Sequence, residues 1–227
     1  MAQRFPQKRS SSADISRFLE QAKNLPTTTD TRQRLVFALD ATASRQPTWS
    51  QARALHGEMF EASKDLGGIA IQLCYYRGLG EFHASPWGSS PGQLHEQMSS
   101  VRCMAGFTQI RTLLQHCLDE HRQQRLRAVI FIGDAVEESV DELCALAGEC
   151  GLRKLPLFLF QEGKDPDVAR CFKRLCQLSG GAYATFDAAS AAQLKALLRA
   201  VASFAAGGMD ALRKLPDNAA KHLLEQL

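Results

Sequence analysis

The sequence has 227 residues and a mass of 25.0 kDa, which suits one α/β domain with a substantial core and short tails but is tight for two domains. Hydrophobic residues make up 45% and charged residues 22%, a balance that excludes a disordered or collagen-like chain. The net charge of +3 is too small and too dispersed to indicate a nucleic-acid surface. No apolar stretch has the length of a membrane span, and the first residues lack a secretory signal, so we expect a cytoplasmic protein with no membrane partner.

The seven cysteines include no C-x-x-C pair, and most stand on apolar faces of predicted helices or strands. This pattern predicts buried thiols in a reducing compartment rather than a disulfide framework. The six histidines are not spaced as zinc ligands, so we expect no zinc site of the Cys and His type.

The predicted elements begin after a basic, Ser-rich segment at residues 1–30, which carries one short helix and is expected to be peripheral. Residues 34–40, RLVFALD, form a nearly continuous apolar run that ends in a carboxylate, a pattern typical of a strand buried on both faces. A helix that opens at Thr48 follows, and then a second apolar strand at residues 69–77. After Gly80, the short segment EFHAS is expected to turn back as an antiparallel edge strand.

Helices and strands then alternate. A helix is expected near Ser90, and another begins its apolar stripe at Ile110. Three further strands, AVIFIGD, LPLFLFQ and GAYATFD, alternate with helices. This order predicts an α/β domain at residues 31–206 with a doubly wound, mostly parallel sheet and helices on both faces. Residues 207–227 form a weakly amphipathic tail that we expect to pack on its own domain, with docking to a partner as the alternative.

Oxygen-bearing side chains stand where three segments meet one edge of the predicted sheet. They are Asp40, Thr42 and Ser44 after the first strand, Thr108 before a helix, and Asp134 after the strand AVIFIG. Ligands of open α/β sheets bind at the carboxyl ends of the strands, so we expect these side chains to share one rim. Two carboxylates and three hydroxyls suit a strongly hydrated divalent cation, Mg²⁺ best and Mn²⁺ next. Such an ion would keep a coordination position open to a further carboxylate.

In this order and on these elements, the residues resemble the metal-ion-dependent adhesion site (MIDAS) of von Willebrand factor A (VWA) domains, over nearly the whole chain apart from its tails. The resemblance implies a doubly wound sheet with one antiparallel edge strand and a bound Mg²⁺. It also implies that Thr42, Ser44 and Thr108 are direct ligands, and that Asp40 and Asp134 contact the ion directly or through water. An acidic side chain of a partner protein would complete the coordination, as in a stand-alone, bacterial-type adaptor domain.

Plainer roles compete for three of these residues: Asp40 as a loop cap, Thr108 as a helix N-cap and Asp134 as a turn residue. The chain departs from the family pattern at Thr42, where serine is usual, and at Ala135, where glycine is frequent. Other residues expected on the same rim are solvated loop residues by default and would shape the choice of partner if they contact one. They are Arg45, Gln109, Glu137, Glu138 and the loop at residues 161–167.

The leading interpretation is a protein-binding module that is not an enzyme, because the three loops contain no histidine and the chain has no G-x-x-x-x-G-K-[ST] phosphate loop. The alternative is a Mg²⁺-dependent phosphatase or phosphotransferase of the haloacid-dehalogenase-like type, with Asp40 as its nucleophile. Enzymes of that type place a second carboxylate two residues after the nucleophile, where this chain has Thr42. Dinucleotide binding at Gly78-Leu79-Gly80 is disfavoured because the third glycine is missing.

Overall fold

The computed structural model describes residues 32–45, 69–88, 96–97, 100–186 and 191–227. The helix expected within residues 1–30 and the one opening at Thr48 lie outside the described residues, and so does most of the helix expected near Ser90.

Within this described part, six strands and five helices follow one another in the predicted alternation. The strands are β1 (Gln33–Asp40), β2 (Ile69–Arg77), β3 (Glu81–Ala84), β4 (Leu126–Gly133), β5 (Leu157–Glu162) and β6 (Ala182–Phe186). The helices are α1 (Ile110–Gln123), α2 (Val140–Leu152), α3 (Pro166–Ser179), α4 (Ala191–Arg213) and α5 (Asn218–Leu224). A membrane-spanning helix, long and apolar throughout, is not found among the residues described.

The strands form one sheet in the order β3-β2-β1-β4-β5-β6. All neighbours run parallel except β3, which pairs antiparallel with β2 at the edge. The predicted fold class and the antiparallel strand EFHA are therefore confirmed. The chain winds outward from β1 in both directions, so the crevice where ligands bind in such sheets lies at the carboxyl ends of β1 and β4.

Each central strand is buried on both faces, which explains the continuous apolar runs in the sequence. In β1, Leu35 and Phe37 join a core cluster that includes α4 and α5, whereas Val36 joins one that includes α1, α2 and α3. Because alternate side chains point to opposite faces, both faces of the strand must be apolar. The two clusters fix the strands and therefore the loops at their carboxyl ends.

The C-terminal segment belongs to the core of this unit. Helix α4 continues past the Gly207-Gly208 pair to Arg213, with a non-helical conformation at Gly208 (φ 68°). Leu212 and Leu223 are completely buried in the same cluster as one face of β1. Burial of these two leucines explains why the chain resumes a helix after a glycine pair that usually ends one.

The side chain of Gln226 covers the edge of the sheet at one residue of β6, Tyr183. Its Oε1 accepts a hydrogen bond from the backbone N–H of Tyr183 in β6 at 2.9 Å, and its Nε2 donates to the Tyr183 carbonyl at 3.0 Å. His222 Nε2 lies 3.1 Å from the same carbonyl. The amide thus occupies the donor and acceptor that a further strand would use.

We expect Leu223→Ala to lower the free energy of unfolding by about 2–5 kcal/mol, because it removes a fully buried side chain and leaves a cavity. Urea denaturation of the full chain measures the change. Lys221→Ala, on the exposed face of the same helix, should change it by less than about 0.5 kcal/mol. Equal losses in the two variants would show that α5 contributes nothing through burial.

Candidate metal centre

Asp40 is a buried carboxylate at the last position of β1. Its Oδ1 accepts the backbone N–H of Thr42 at 2.7 Å, and its Oδ2 accepts the hydroxyl of Tyr76 at 3.0 Å. Tyr76 is its register partner on β2 and is almost completely buried. Burial raises the pKa of Asp40, and the nearby charge of Asp134 adds to this, while the hydrogen bonds from Thr42 and Tyr76 oppose it. Asp40 therefore turns the loop, as the cap interpretation predicts, and also presents a poorly compensated charge.

Thr42 and Ser44, the next two predicted ligands, lie in the loop directly after Asp40. Residues Ala43–Arg45 form a short 3-10 turn, which brings the Thr42 Oγ1 within 3.1 Å of the Ser44 Oγ. Thr42 is nearly buried, whereas Ser44 is exposed. The loop thus turns two hydroxyl oxygens toward a common point next to the Asp40 carboxylate.

Asp134 lies directly after β4, the neighbour of β1 in the sheet. A Cβ atom placed on the preceding Gly133 would lie 3.7 Å from the Asp40 Cβ, so the two strand ends are in close contact. The Oδ1 of Asp134 is buried and, among the described residues, has no hydrogen-bond partner. A buried carboxylate oxygen without a donor is costly, and a turn residue would have used it for a backbone N–H. This orphaned atom favours a cation at the site.

Thr108 is held by the loop that follows Asp134. Its backbone N–H donates to Glu137 Oε2 at 2.8 Å, and its Oγ1 accepts the backbone N–H of Glu137 at 3.0 Å. The N-cap of α1 is Gln109, whose side chain makes no capping bond. The alternative role of Thr108 as a helix N-cap is therefore wrong. The threonine hydroxyl keeps its own hydrogen and a second lone pair, so it can still act as a ligand.

Glu138 supplies the cap that α1 lacks locally. Its two carboxylate oxygens accept the backbone N–H groups of Ile110 at 2.6 Å and Arg111 at 2.9 Å. The sequence gives no local signal for these bonds, because Glu137 and Glu138 reach α1 from a different loop. They are expected rim residues, and in the structure they have a supporting role, because they join the loop of Thr108 to the loop of Asp134.

The segment before Thr108 is fixed against both neighbouring strands. The Met104 N–H donates to the Ala41 carbonyl at 3.0 Å, beside the first loop. The Gln109 Nε2 donates to the carbonyl of Arg77 at 3.2 Å, at the end of β2. Between these points, a Cβ on Gly106 would stand only 1.9 Å from the Gly78 carbonyl oxygen. Only glycine allows this backbone contact.

The other residues predicted to lie on the rim are those of the loop at residues 161–167 and Arg45. Gln161 is completely buried, where it accepts the Tyr183 hydroxyl at 2.6 Å and donates to the Asp165 carbonyl at 2.9 Å. The expectation that Gln161 contributes to an exposed rim is wrong. Its side-chain amide is buried and forms hydrogen bonds with β6 and with the N-cap of α3. Asp165 is the N-cap of α3. The side chain of Arg45 lies outside the described residues.

Thiols do not contribute to this centre. None of the seven cysteines forms a disulfide, and five are buried, as the sequence predicts. Burial raises the pKa of Cys117 and Cys74, which opposes the thiolate form that binds metals. In the parts of the chain that the structure describes, no three His, Cys, Asp or Glu side chains cluster closely enough to hold an ion. An ion here must therefore take hydroxyl oxygens, and the donor set fits a hard cation such as Mg²⁺.

No protein-family model matches the chain, and no curated protein matches it. Solved structures do. A von Willebrand factor type A protein from Catenulispora acidiphila is 13% identical with a TM-score of 0.61, over 78% of this chain and 43% of its own. The VWA domain of SpRpn10 is 9% identical with a TM-score of 0.58, over 72% of this chain and 95% of its own.

The mussel byssus protein proximal thread matrix protein 1, with a zinc-occupied MIDAS motif, is 11% identical with a TM-score of 0.58. The match covers 75% of this chain and 46% of that protein. The chain thus spans less than half of two of these three structures but nearly all of the SpRpn10 domain. At these identities the likeness concerns the fold, and the chain has the fold of VWA domains.

Gly106→Ala should lower the free energy of unfolding by about 1–3 kcal/mol, because the new methyl group must displace the Gly78 backbone. The shift should also move the loop of Thr108 and weaken Mn²⁺ binding, measured by calorimetry. Gly148→Ala is the matched control, since no atom lies within 4 Å of its added Cβ in α2 and alanine favours a helix. An equally stable Gly106→Ala variant would disprove the close approach.

Proposed function

We propose that the chain is a metal-dependent protein-binding module that is not an enzyme and that acts as an adaptor. Its ligands are those named from the sequence, Asp40, Thr42, Ser44, Thr108 and Asp134, and its ion is Mg²⁺, with Mn²⁺ as a substitute. A carboxylate of a partner protein completes the coordination. The observation that carries the proposal is the buried, unpartnered Oδ1 of Asp134, which stands close to the raised-pKa carboxyl of Asp40.

The bound ion would offset the charges of the two carboxylates and keep one coordination position open to a further carboxylate. The surrounding residues hold the ligands in place for it. The hydroxyl of Tyr76 and the N–H of Thr42 fix both oxygens of Asp40, so that carboxylate cannot rotate away. Glu137 fixes the Thr108 side chain through its backbone N–H. Such outer contacts orient ligands and raise metal affinity.

The same contacts disfavour covalent catalysis at Asp40. A carboxylate nucleophile must reach the substrate, but Asp40 is completely buried and both of its oxygens accept hydrogen bonds. A binding role needs only an accessible ion, and the exposed Ser44 stands at the open side of the site. The likeness to VWA domains, one of them with a zinc-occupied MIDAS motif, supports a metal-dependent contact. Seven cysteines that form no disulfide favour a reducing compartment, so we infer a cytoplasmic location.

Asp134→Asn tests the metal site. Calorimetric titration with Mn²⁺ should show binding to the wild type and none to the variant. Saturating Mg²⁺, at about 100 times its dissociation constant, should stabilise the wild type by about 2.7 kcal/mol and leave the variant unchanged. Without metal the variant should melt at the same or a higher temperature than the wild type, because a like charge near Asp40 is removed.

Thr108→Val should also abolish Mn²⁺ binding, since it keeps the shape and removes the hydroxyl. Asp210→Asn and Thr112→Val change an exposed aspartate on α4 and an exposed threonine on α1, and both should bind Mn²⁺ as the wild type does. Retention of wild-type affinity in both Asp134→Asn and Thr108→Val would refute the assignment.

A phosphatase assay separates the module from the enzyme alternative. With para-nitrophenyl phosphate and Mg²⁺, we expect no turnover above that of a buffer control, because the Asp40 carboxylate is buried and fully hydrogen-bonded. Mg²⁺-dependent hydrolysis that disappears in Asp40→Asn would contradict the binding-module proposal.

A further inference from the structure

Three large apolar side chains lie exposed beside the candidate metal centre. They are Leu79, 82% exposed, Met104, 43% exposed, and Phe107, 62% exposed, and together they are called here the apolar rim. Half of the large hydrophobic residues that are exposed in the described part of the chain belong to it. Exposed apolar side chains that cluster next to a binding site indicate a contact surface.

Backbone contacts fix the apolar rim relative to the ligand loops. The Met104 N–H donates to the Ala41 carbonyl, so Met104 lies beside the loop of Thr42. Phe107 immediately precedes Thr108, and consecutive Cα atoms are about 3.8 Å apart. Two residues of the apolar rim are therefore neighbours of proposed ligands: Met104 of Thr42, and Phe107 of Thr108.

Leu79 reaches the same surface from the turn between β2 and β3. The preceding residue, Gly78, has a left-handed conformation (φ 59°) and contacts the backbone of Gly106. The Arg77 Nη1 donates to the Arg102 carbonyl at 3.1 Å, which ties the turn to the start of the other loop. A backbone-to-backbone contact thus joins the turn that carries Leu79 to the loop that carries Met104 and Phe107.

The charges around the rim favour an acidic occupant. Asp40 and Asp134 together would neutralise a divalent ion, and Glu137 and Glu138 accept the backbone N–H groups of Thr108, before α1, and of Ile110, at its start. The guanidinium of Arg102 is exposed on the same loop as Phe107. The glutamates of these loops are therefore engaged, and the exposed Arg102 adds a positive charge to a loop that a partner carboxylate would approach.

We propose, as an extension of the function proposed above, that the partner is a protein segment in which an aspartate or glutamate is flanked within about two residues by large apolar side chains. The carboxylate completes the metal coordination, and the apolar neighbours pack on Leu79, Met104 and Phe107. The acid supplies metal dependence, while the apolar rim selects among acidic sequences.

The test begins with a displayed library of random 12-residue peptides, selected on the full chain in Mg²⁺ and counter-selected in EDTA. We expect the enriched peptides to carry an acidic residue next to large apolar residues. Synthetic copies of these peptides are then titrated by fluorescence polarisation. Exchanging the acidic residue for its amide should abolish binding, and replacing the apolar neighbours with serine should weaken it at least about tenfold.

The protein variants Phe107→Ser and Met104→Gln should weaken peptide binding at least about tenfold and leave Mn²⁺ affinity and melting temperature unchanged, because both side chains are exposed. Leu152→Ser is the matched control. That leucine is 89% exposed at the last residue of α2, about 18 Å along the helix from its first residue, and its loss should have no effect.

Several results would overturn this proposal. The selected peptides could share only the acidic residue, or the selection could enrich no peptide over the EDTA control. Phe107→Ser could bind the peptides with the same affinity as the wild type. The chain could also form a Mg²⁺-dependent dimer that Phe107→Ser abolishes, which would make a second copy the occupant. None of these results contradicts the proposed metal site if the wild type still binds Mn²⁺. Loss of Mn²⁺ binding by the wild type instead refutes the proposed function itself.

Discussion

The arrangement at the carboxyl end of the sheet depends on placing the Asp40 carboxylate out of water. Its hydrogen bonds to Tyr76 and Thr42 compensate part of the lost hydration, and the neighbouring Asp134 works against them. A fold that merely needed a turn would not put a second carboxylate with an unbonded oxygen beside the first. A cation at this position would relieve the repulsion between the two carboxylates, and the proposed ion would therefore stabilise the folded chain.

Most of the sheet was predictable because its central strands are buried on both faces, so their apolar runs stand out from the helices around them. The limit appears at Gly207 and Gly208, which locally indicate the end of a helix. The chain continues through a kink because Leu212 and Leu223 find places in the core. Burial of residues far along the chain outweighed the local preference of the two glycines. A pattern read over a few residues of sequence does not reveal the stability gained by such burial.

The candidate centre divides in the same way. Topology alone predicts that residues leaving β1 and β4 approach one another, and it led to Asp40 and Asp134. The supporting contacts were not predictable from the sequence. Tyr76 acts through its register with β1, and Glu137 and Glu138 act across loops far apart in sequence. Sequence patterns point to candidate ligands more directly than to the residues that orient them.

The amide of Gln226 has a consequence for how this molecule can associate. By occupying the N–H and carbonyl of Tyr183, it acts as a one-residue substitute for a seventh strand. The unpaired N–H and carbonyl groups of an exposed strand edge can pair with a strand of another chain, and here the C-terminal segment blocks part of the β6 edge. The proposed partner contact lies elsewhere, in the crevice formed by the loops, where recognition would depend on side-chain chemistry and not on backbone pairing.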